Sequence, residues 1–165
     1  MKFNDQWHDT GYANGIKGRE NYTAAAIEII KGLELATMLE IGTGGIRLSP
    51  DSMTMDKAPV YNPDFCQDAC DMPWPIVDGK FDVVVALQVW EHLRYPQKAF
   101  HEALRVAKKA VILSVPYKWE RSASLQHVGI CDNIVEAWTN GLKWSEKHVV
   151  MDNRERAIYV WRIEQ

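Results

Sequence analysis

The chain has 165 residues, of which 47% are hydrophobic and 25% charged, with a formal charge of -3. That length suits one globular domain, since roughly 100 to 200 residues per domain is usual, and we expect a single unit over 1–165, residues 1–35 forming a helical cover over a core at 36–165. The acidic balance offers no attraction to nucleic acid or an anionic membrane, and no run approaches the roughly 20 apolar residues of a membrane helix. The start MKFNDQWHDTGYANG lacks the apolar segment of a signal peptide, so the expected compartment is the cytoplasm. Cys66, Cys70 and Cys131 are an odd count without metal-like spacing, which predicts reduced thiols and no metal site.

In chain order, RENYTAAAIEIIKGLE from Arg19 predicts a helix with Ala26, Ile27, Ile30 and Leu33 on one face and Gly32 near its end. TMLEI is a buried strand, SMTMD a second ending at Asp56, and DFCQD a third ending at Asp68. FDVVVAL, a nearly unbroken apolar run of β-branched residues, suits a strand covered on both faces at the centre of a sheet. YPQKAFHEALRVAKK predicts a helix with Pro96 in its first turn, a stripe of Ala99, Phe100, Ala103, Leu104 and Ala107, and Lys108 and Lys109 at its C-terminal dipole. AVILSV is a strand stopped by Pro116, and Asp132 is placed to cap a short helix that runs through Trp138 to Asn140-Gly141. KHVVMD and RAIYVWRIE, joined by NRE, predict a closing hairpin. Strands alternating with helices indicate an α/β protein with a mostly parallel sheet and an antiparallel C-terminal hairpin.

Ligands of such sheets bind beyond the carboxyl ends of the strands. There the sequence puts Glu40 with a glycine turn, then Asp56, Asp68, and the stretch from Gln88 to His92. A dinucleotide fingerprint would need glycine at 47, where Arg47 stands, and Pro50 leaves little room for a phosphate-facing helix. Acids gathered on one rim would repel a pyrophosphate. They suit a ligand that offers hydroxyls, an exocyclic amine and a positive centre.

The segments LEIGTGG, TMD, DACDMPWP, FDVVVALQVWEHL and EALRV…AVILSVP, in that order, resemble class I methyltransferases that use S-adenosylmethionine, in particular those with EH after the fourth strand (the methyltransferase type 11 group). The resemblance covers roughly residues 36 to 116 and implies a Rossmann-like, seven-stranded sheet flanked by helices, with S-adenosylmethionine as cofactor and S-adenosylhomocysteine as product. It also implies that Glu40, Gly42, Thr43 and Gly44 carry the methionine and ribose, that Asp56 accepts from the ribose hydroxyls, and that Asp68 with the Ala69 backbone recognises adenine. Leu87 and Gln88 would lie beside the sulfonium. This chain departs from the pattern in two places: Ile46 stands where a third glycine is usual, and the segment between the first two strands is too short for a full helix.

Methyl transfer asks mainly for in-line geometry and exclusion of water. For a hydroxyl acceptor, His92 and His127 are the candidate general bases, since histidine titrates near neutral pH, although either also suits a plain structural role. Glu91 is expected to pair with Arg94 or cap a turn. Trp74, Trp90, Tyr117 and Trp119 fall in rim loops, as an acceptor pocket or a lid, whereas Trp138 and Trp161 are expected in the core. The functional reading is methyl transfer to a small-molecule or glycan-like acceptor. A catalytically weak cofactor-binding subunit that serves a partner is the alternative, and a dinucleotide oxidoreductase is disfavoured by Arg47 and Pro50.

Overall fold

The computed structural model describes residues 1–3, 19–119 and 129–164. Helix α1 (Glu20–Lys31) turns Ala26, Ile27 and Ile30 inward and ends at Gly32. Strands β1 (Met38–Ile41), β2 (Met53–Asp56), β3 (Phe65–Cys66), β4 (Phe81–Leu87), β5 (Ala107–Pro116), β6 (Glu146–Met151) and β7 (Glu155–Arg162) build one sheet in the order β3-β2-β1-β4-β5-β7-β6. The first five are parallel where they pair, and β7 runs antiparallel to both of its neighbours. The predicted Rossmann-like sheet and its C-terminal hairpin are both present.

β4 lies in the middle of the sheet, which explains its unbroken apolar run. Val83 and Val85 pack towards Tyr22, Ala26 and Ile30 of α1, while Val84 and Ala86 belong to the opposite layer with Phe100 and Ala103 of helix α2 (Pro96–Val106). Alternate residues therefore bury on opposite faces, and neither face tolerates a polar side chain. Phe100 meets Trp161 of β7 edge to face with ring centroids 4.8 Å apart, so α2 is seated on the sheet by aromatic packing as well as by its alanines.

Three local expectations are corrected. β3 stops at Cys66, so Asp68 stands in the turn beyond it rather than at its last residue. Lys108 and Lys109 belong to β5, because the strand starts at Ala107 directly after the helix. The cation in the last turn of α2 is Arg105, which binds Glu102 at 2.7 Å and Asp78 at 2.6 Å. Asp132 opens α3 (Asp132–Trp138) without capping it, since its carboxylate accepts from Lys147 and from the Tyr159 hydroxyl, both at 2.6 Å. Trp161 is in the core as expected, and Trp138 packs against the core while partly buried.

The link from β1 to β2 is a loop held from beneath by Glu40. This side chain is buried, and its carboxylate accepts from the Leu48 N–H at 2.8 Å, the Ser49 N–H at 3.2 Å and the Ser52 hydroxyl. Burial pushes the acid above the ordinary carboxylate range, against the opposing pull of those donors and of Arg47. Arg47 itself donates to the Ser52 carbonyl at 2.8 Å and pairs with Asp64 at 3.1 Å. Glu40→Gln turns an amide N–H towards these donors and is expected to lower the unfolding free energy by about 1–3 kcal/mol, seen as a lower urea midpoint with an unchanged slope.

Candidate functional site

The chain leaves β1 towards β2 and leaves β4 towards β5, although β1 and β4 are neighbours. Their carboxyl ends therefore flank an opening that no connection among the described residues bridges. Gly42 is the first residue past β1, with φ 66°, and its N–H donates to the Met55 carbonyl at 2.8 Å. A Cβ at this position would lie 2.7 Å from a Val89 methyl carbon, so only glycine lets the two strand ends come this close. Gly44, also left-handed at φ 58°, donates its N–H to Asp56 Oδ2 at 3.2 Å.

The acids face the same opening with bonding capacity to spare. Asp56 takes a second backbone donor, the Ala58 N–H, on its other oxygen at 2.9 Å. Asp68 accepts from the Cys70 N–H through Oδ1 at 2.8 Å. A carboxylate can accept about four hydrogen bonds, so both keep lone pairs for a ligand. Gln88, at φ 59°, ends β4 in a left-handed turn, and its backbone and side-chain amides donate to the carbonyl and hydroxyl of Ser114 at 2.9 and 3.1 Å. This fixes the exit of β4 against β5.

Two cavities open on this rim. The larger, about 580 Å³, is lined by Gly42, Asp56, Asp68, Ala69, Gln88 and His92 among others. The smaller, about 80 Å³, lies between Glu40, Thr43 and Leu87 on the sheet side and Arg19, Tyr22 and Thr23 on the α1 side. Ile41 and Gly42 line both, so the two spaces meet at the end of β1. Residues picked out from the sequence thus line one or other cavity, apart from Gly44, which touches the site through Asp56. His127 lies outside the described residues.

The aromatic expectations change. Trp74 and Trp90 are 2% and 1% exposed, and their indoles donate to the carbonyls of Ala69 and Pro96, so both are core residues that hold the rim from below. Tyr117 is also buried, its hydroxyl accepting from Lys147 at 2.8 Å. Trp119 carries the guanidinium carbons of Arg154 and Arg156 at 5.1 and 4.8 Å from its ring centre.

Sequence reasoning missed Glu91. Its side chain is 4% exposed and its two oxygens have no hydrogen-bond partner among the described residues, neither Arg94 nor a turn N–H. Burial, partly offset by the residue's own backbone N–H and by Arg156 and Arg19, pushes its acid from the ordinary 4.5 up to about 7. Nothing in the local spacing signals this, because the environment is built by β7 and by the residue ahead of α1. Across pH 4.5 to 7 the native protein holds a proton that the unfolded chain releases, so stability falls as pH rises through this window. Glu91→Gln removes that dependence: its stability relative to wild type is expected to improve by about 3 kcal/mol between acid and mildly alkaline pH in urea titrations.

Comparison with known proteins agrees with this architecture. A family model described as a methyltransferase domain matches residues 32–115. Among solved structures, a SAM-dependent methyltransferase from Aquifex aeolicus superposes with TM-score 0.57 at 16% identity over 84% of this chain and 89% of that one. One from Clostridium acetobutylicum gives 0.66 at 12% identity over 87% and 91%. A chain from the complex between the Haloferax volcanii Trm112 methyltransferase activator and a putative methyltransferase gives 0.64 at 14% identity over 100% of both. At these identities the superpositions speak for the fold, and the family model, which spans over half the sequence, speaks for descent. The chain belongs to the class I SAM-dependent methyltransferase family.

Proposed function

We propose that the protein transfers the methyl group of S-adenosylmethionine to a small-molecule or glycan-like acceptor. The observation that carries this reading is the 580 Å³ cavity, where the Gly42 turn, Asp56, Asp68 and Gln88 face one space. The donor set fits the cofactor. Asp56 has lone pairs for two ribose hydroxyls, Asp68 with the Ala69 backbone suits the adenine edge, and Gly42 leaves room for the chain between them. The smaller cavity, reached by Arg19 and Thr43, suits the carboxylate end of the methionine, with Gly44 acting through Asp56 and Leu87 closing the apolar side.

Bound there, the cofactor supplies a methyl already activated by its sulfonium. The protein's work is then to orient and to exclude water, and orientation alone supplies roughly 7–11 kcal/mol of such a barrier. His92, which lines the larger cavity, stands among the groups at hand for an acceptor's proton. We take the whole chain to act as one unit in the cytoplasm; no helix among the described residues is long and apolar enough to cross a membrane.

A second reading, a weak or inactive cofactor-binding subunit that serves a partner, is favoured by Ile46 in place of the third glycine and by the likeness to a chain crystallised with an activator protein. Calorimetry separates these readings from each other and from a dinucleotide enzyme. S-adenosylmethionine and S-adenosylhomocysteine are expected to bind and NAD is not; heat from NAD alone would overturn both readings. Asp56→Ala and Asp68→Ala are each expected to weaken the sulfur ligands by about ten-fold or more, the worth of a charge-assisted hydrogen bond. Transfer of labelled methyl from the cofactor into a fractionated extract then distinguishes an enzyme from a binding subunit.

A further inference from the structure

The rim holds one arrangement that cofactor binding does not use. Glu91 sits in the 3-10 turn Trp90–His92 that follows β4, its side chain buried and without a hydrogen bond to either oxygen among the described residues. Arg156, in β7, is likewise buried, its Nε–H unpartnered among the described residues, and its guanidinium carbon lies 4.9 Å from the Tyr22 ring centre and 4.8 Å from that of Trp119. Opposite charges buried in one neighbourhood usually close into an ion pair, because an unpaired buried charge is costly. These two do not pair among the described residues. The charged and titratable groups that face Glu91 are Arg156 from β7, Arg19 from ahead of α1, and His92 on its own turn, whose Nε2 is 3.8 Å from Glu91 Oε1.

The position of the turn says what the gap is for. Val89 and His92, on either side of Glu91, line the larger cavity, whereas Arg19 and Tyr22 line the smaller. Glu91 itself lines neither cavity, but its turn is bounded by residues of the larger one and its charge is felt by Arg19 of the smaller, and the reacting methyl lies between the two spaces if the reading above holds; the inference rests on that reading. Arg156 is paired with Pro116 at the end of β5, the strand beside β4, and its charge acts on Glu91.

We propose that Glu91 faces the nucleophile of the methyl acceptor, and that the acceptor is an alcohol, phenol or amine whose reacting oxygen or nitrogen carries a proton, with a hydrogen-bond-accepting group on the same molecule received by Arg156. Glu91 takes that proton as the acceptor's lone pair forms the bond to the methyl carbon and the carbon–sulfur bond breaks with its electron pair left on sulfur. The resulting carboxylic acid returns its proton to water when the product leaves. Burial gives Glu91 a proton affinity matched to neutral pH, where an ordinary carboxylate is too weak a base. A thioether or tertiary amine, with no proton to lose, would have no use for it.

Sinefungin tests this without knowledge of the acceptor, because it carries an ammonium group where the transferred methyl stands. In calorimetry at about pH 6.5, wild-type protein is expected to bind sinefungin about ten-fold more tightly than S-adenosylhomocysteine, and to release a proton with sinefungin alone when buffers of different ionisation enthalpy are compared. Glu91→Gln is expected to keep its affinity for S-adenosylhomocysteine within about two-fold and to lose the sinefungin preference. A preference that survives in the variant, or sinefungin binding without proton release in the wild type, overturns the assignment. If the variant does not fold, the wild-type proton count decides alone. Failure of the wild type to bind S-adenosylhomocysteine and S-adenosylmethionine would instead overturn the methyltransferase reading itself.

Discussion

β1 and β4 are hydrogen-bonded neighbours, yet the chain departs from them in opposite directions, and the site depends on that divergence. Their ends must be left uncovered, and the backbone past β1 must pass close to the backbone past β4. Gly42 meets this constraint, because a Cβ there would fall within 2.7 Å of Val89. Once the two ends are this close, the N–H of Gly44 can bind Asp56, Gln88 can turn back onto Ser114, and a single cavity gathers groups from four segments of chain.

Two buried glutamates on this rim show how hydrogen bonding divides one residue type between structure and chemistry. Glu40 is surrounded by donors from Leu48, Ser49 and Ser52, and it holds in shape the loop between β1 and β2. The Glu91 side chain is as deeply buried and has no hydrogen-bond partner among the described residues. Both acids are raised by desolvation. The first has its lone pairs occupied by the fold, so its burial stabilises a loop. The second retains its bonding capacity, which a fold keeps at a cost in stability and which a ligand can fill.

The aromatic residues support this division. Trp74 and Trp90 follow strand ends in sequence but turn inward, where their indoles tie down the carbonyls of Ala69 and Pro96. The turns that carry Asp68 and Glu91 are thereby braced from beneath. The far wall of the smaller cavity comes instead from Tyr22 of α1 and Arg19 just ahead of it, with Arg156 of β7 lying over the Tyr22 ring.

Much of this was determined by the sequence alone. Apolar runs and their periods specify the strands and helices, because each element must bury a stripe or a face. The glycine turn after TMLEI and the acids Asp56 and Asp68 near the ends of their strands are legible because strand ends of a parallel sheet share a rim, so residues at those ends converge whatever lies between them. Even Arg47 and Pro50, which break a phosphate motif, are informative by excluding one. Only the tertiary structure decided which side chains at that rim have partners. Whether Glu91 is satisfied depends on donors from β7 and from ahead of α1, far away in the chain, and whether Lys108 extends a helix or starts a strand depends on where β4 offers an edge. Burial and hydrogen-bond satisfaction are properties of neighbours in space, and local patterns in a sequence do not contain them.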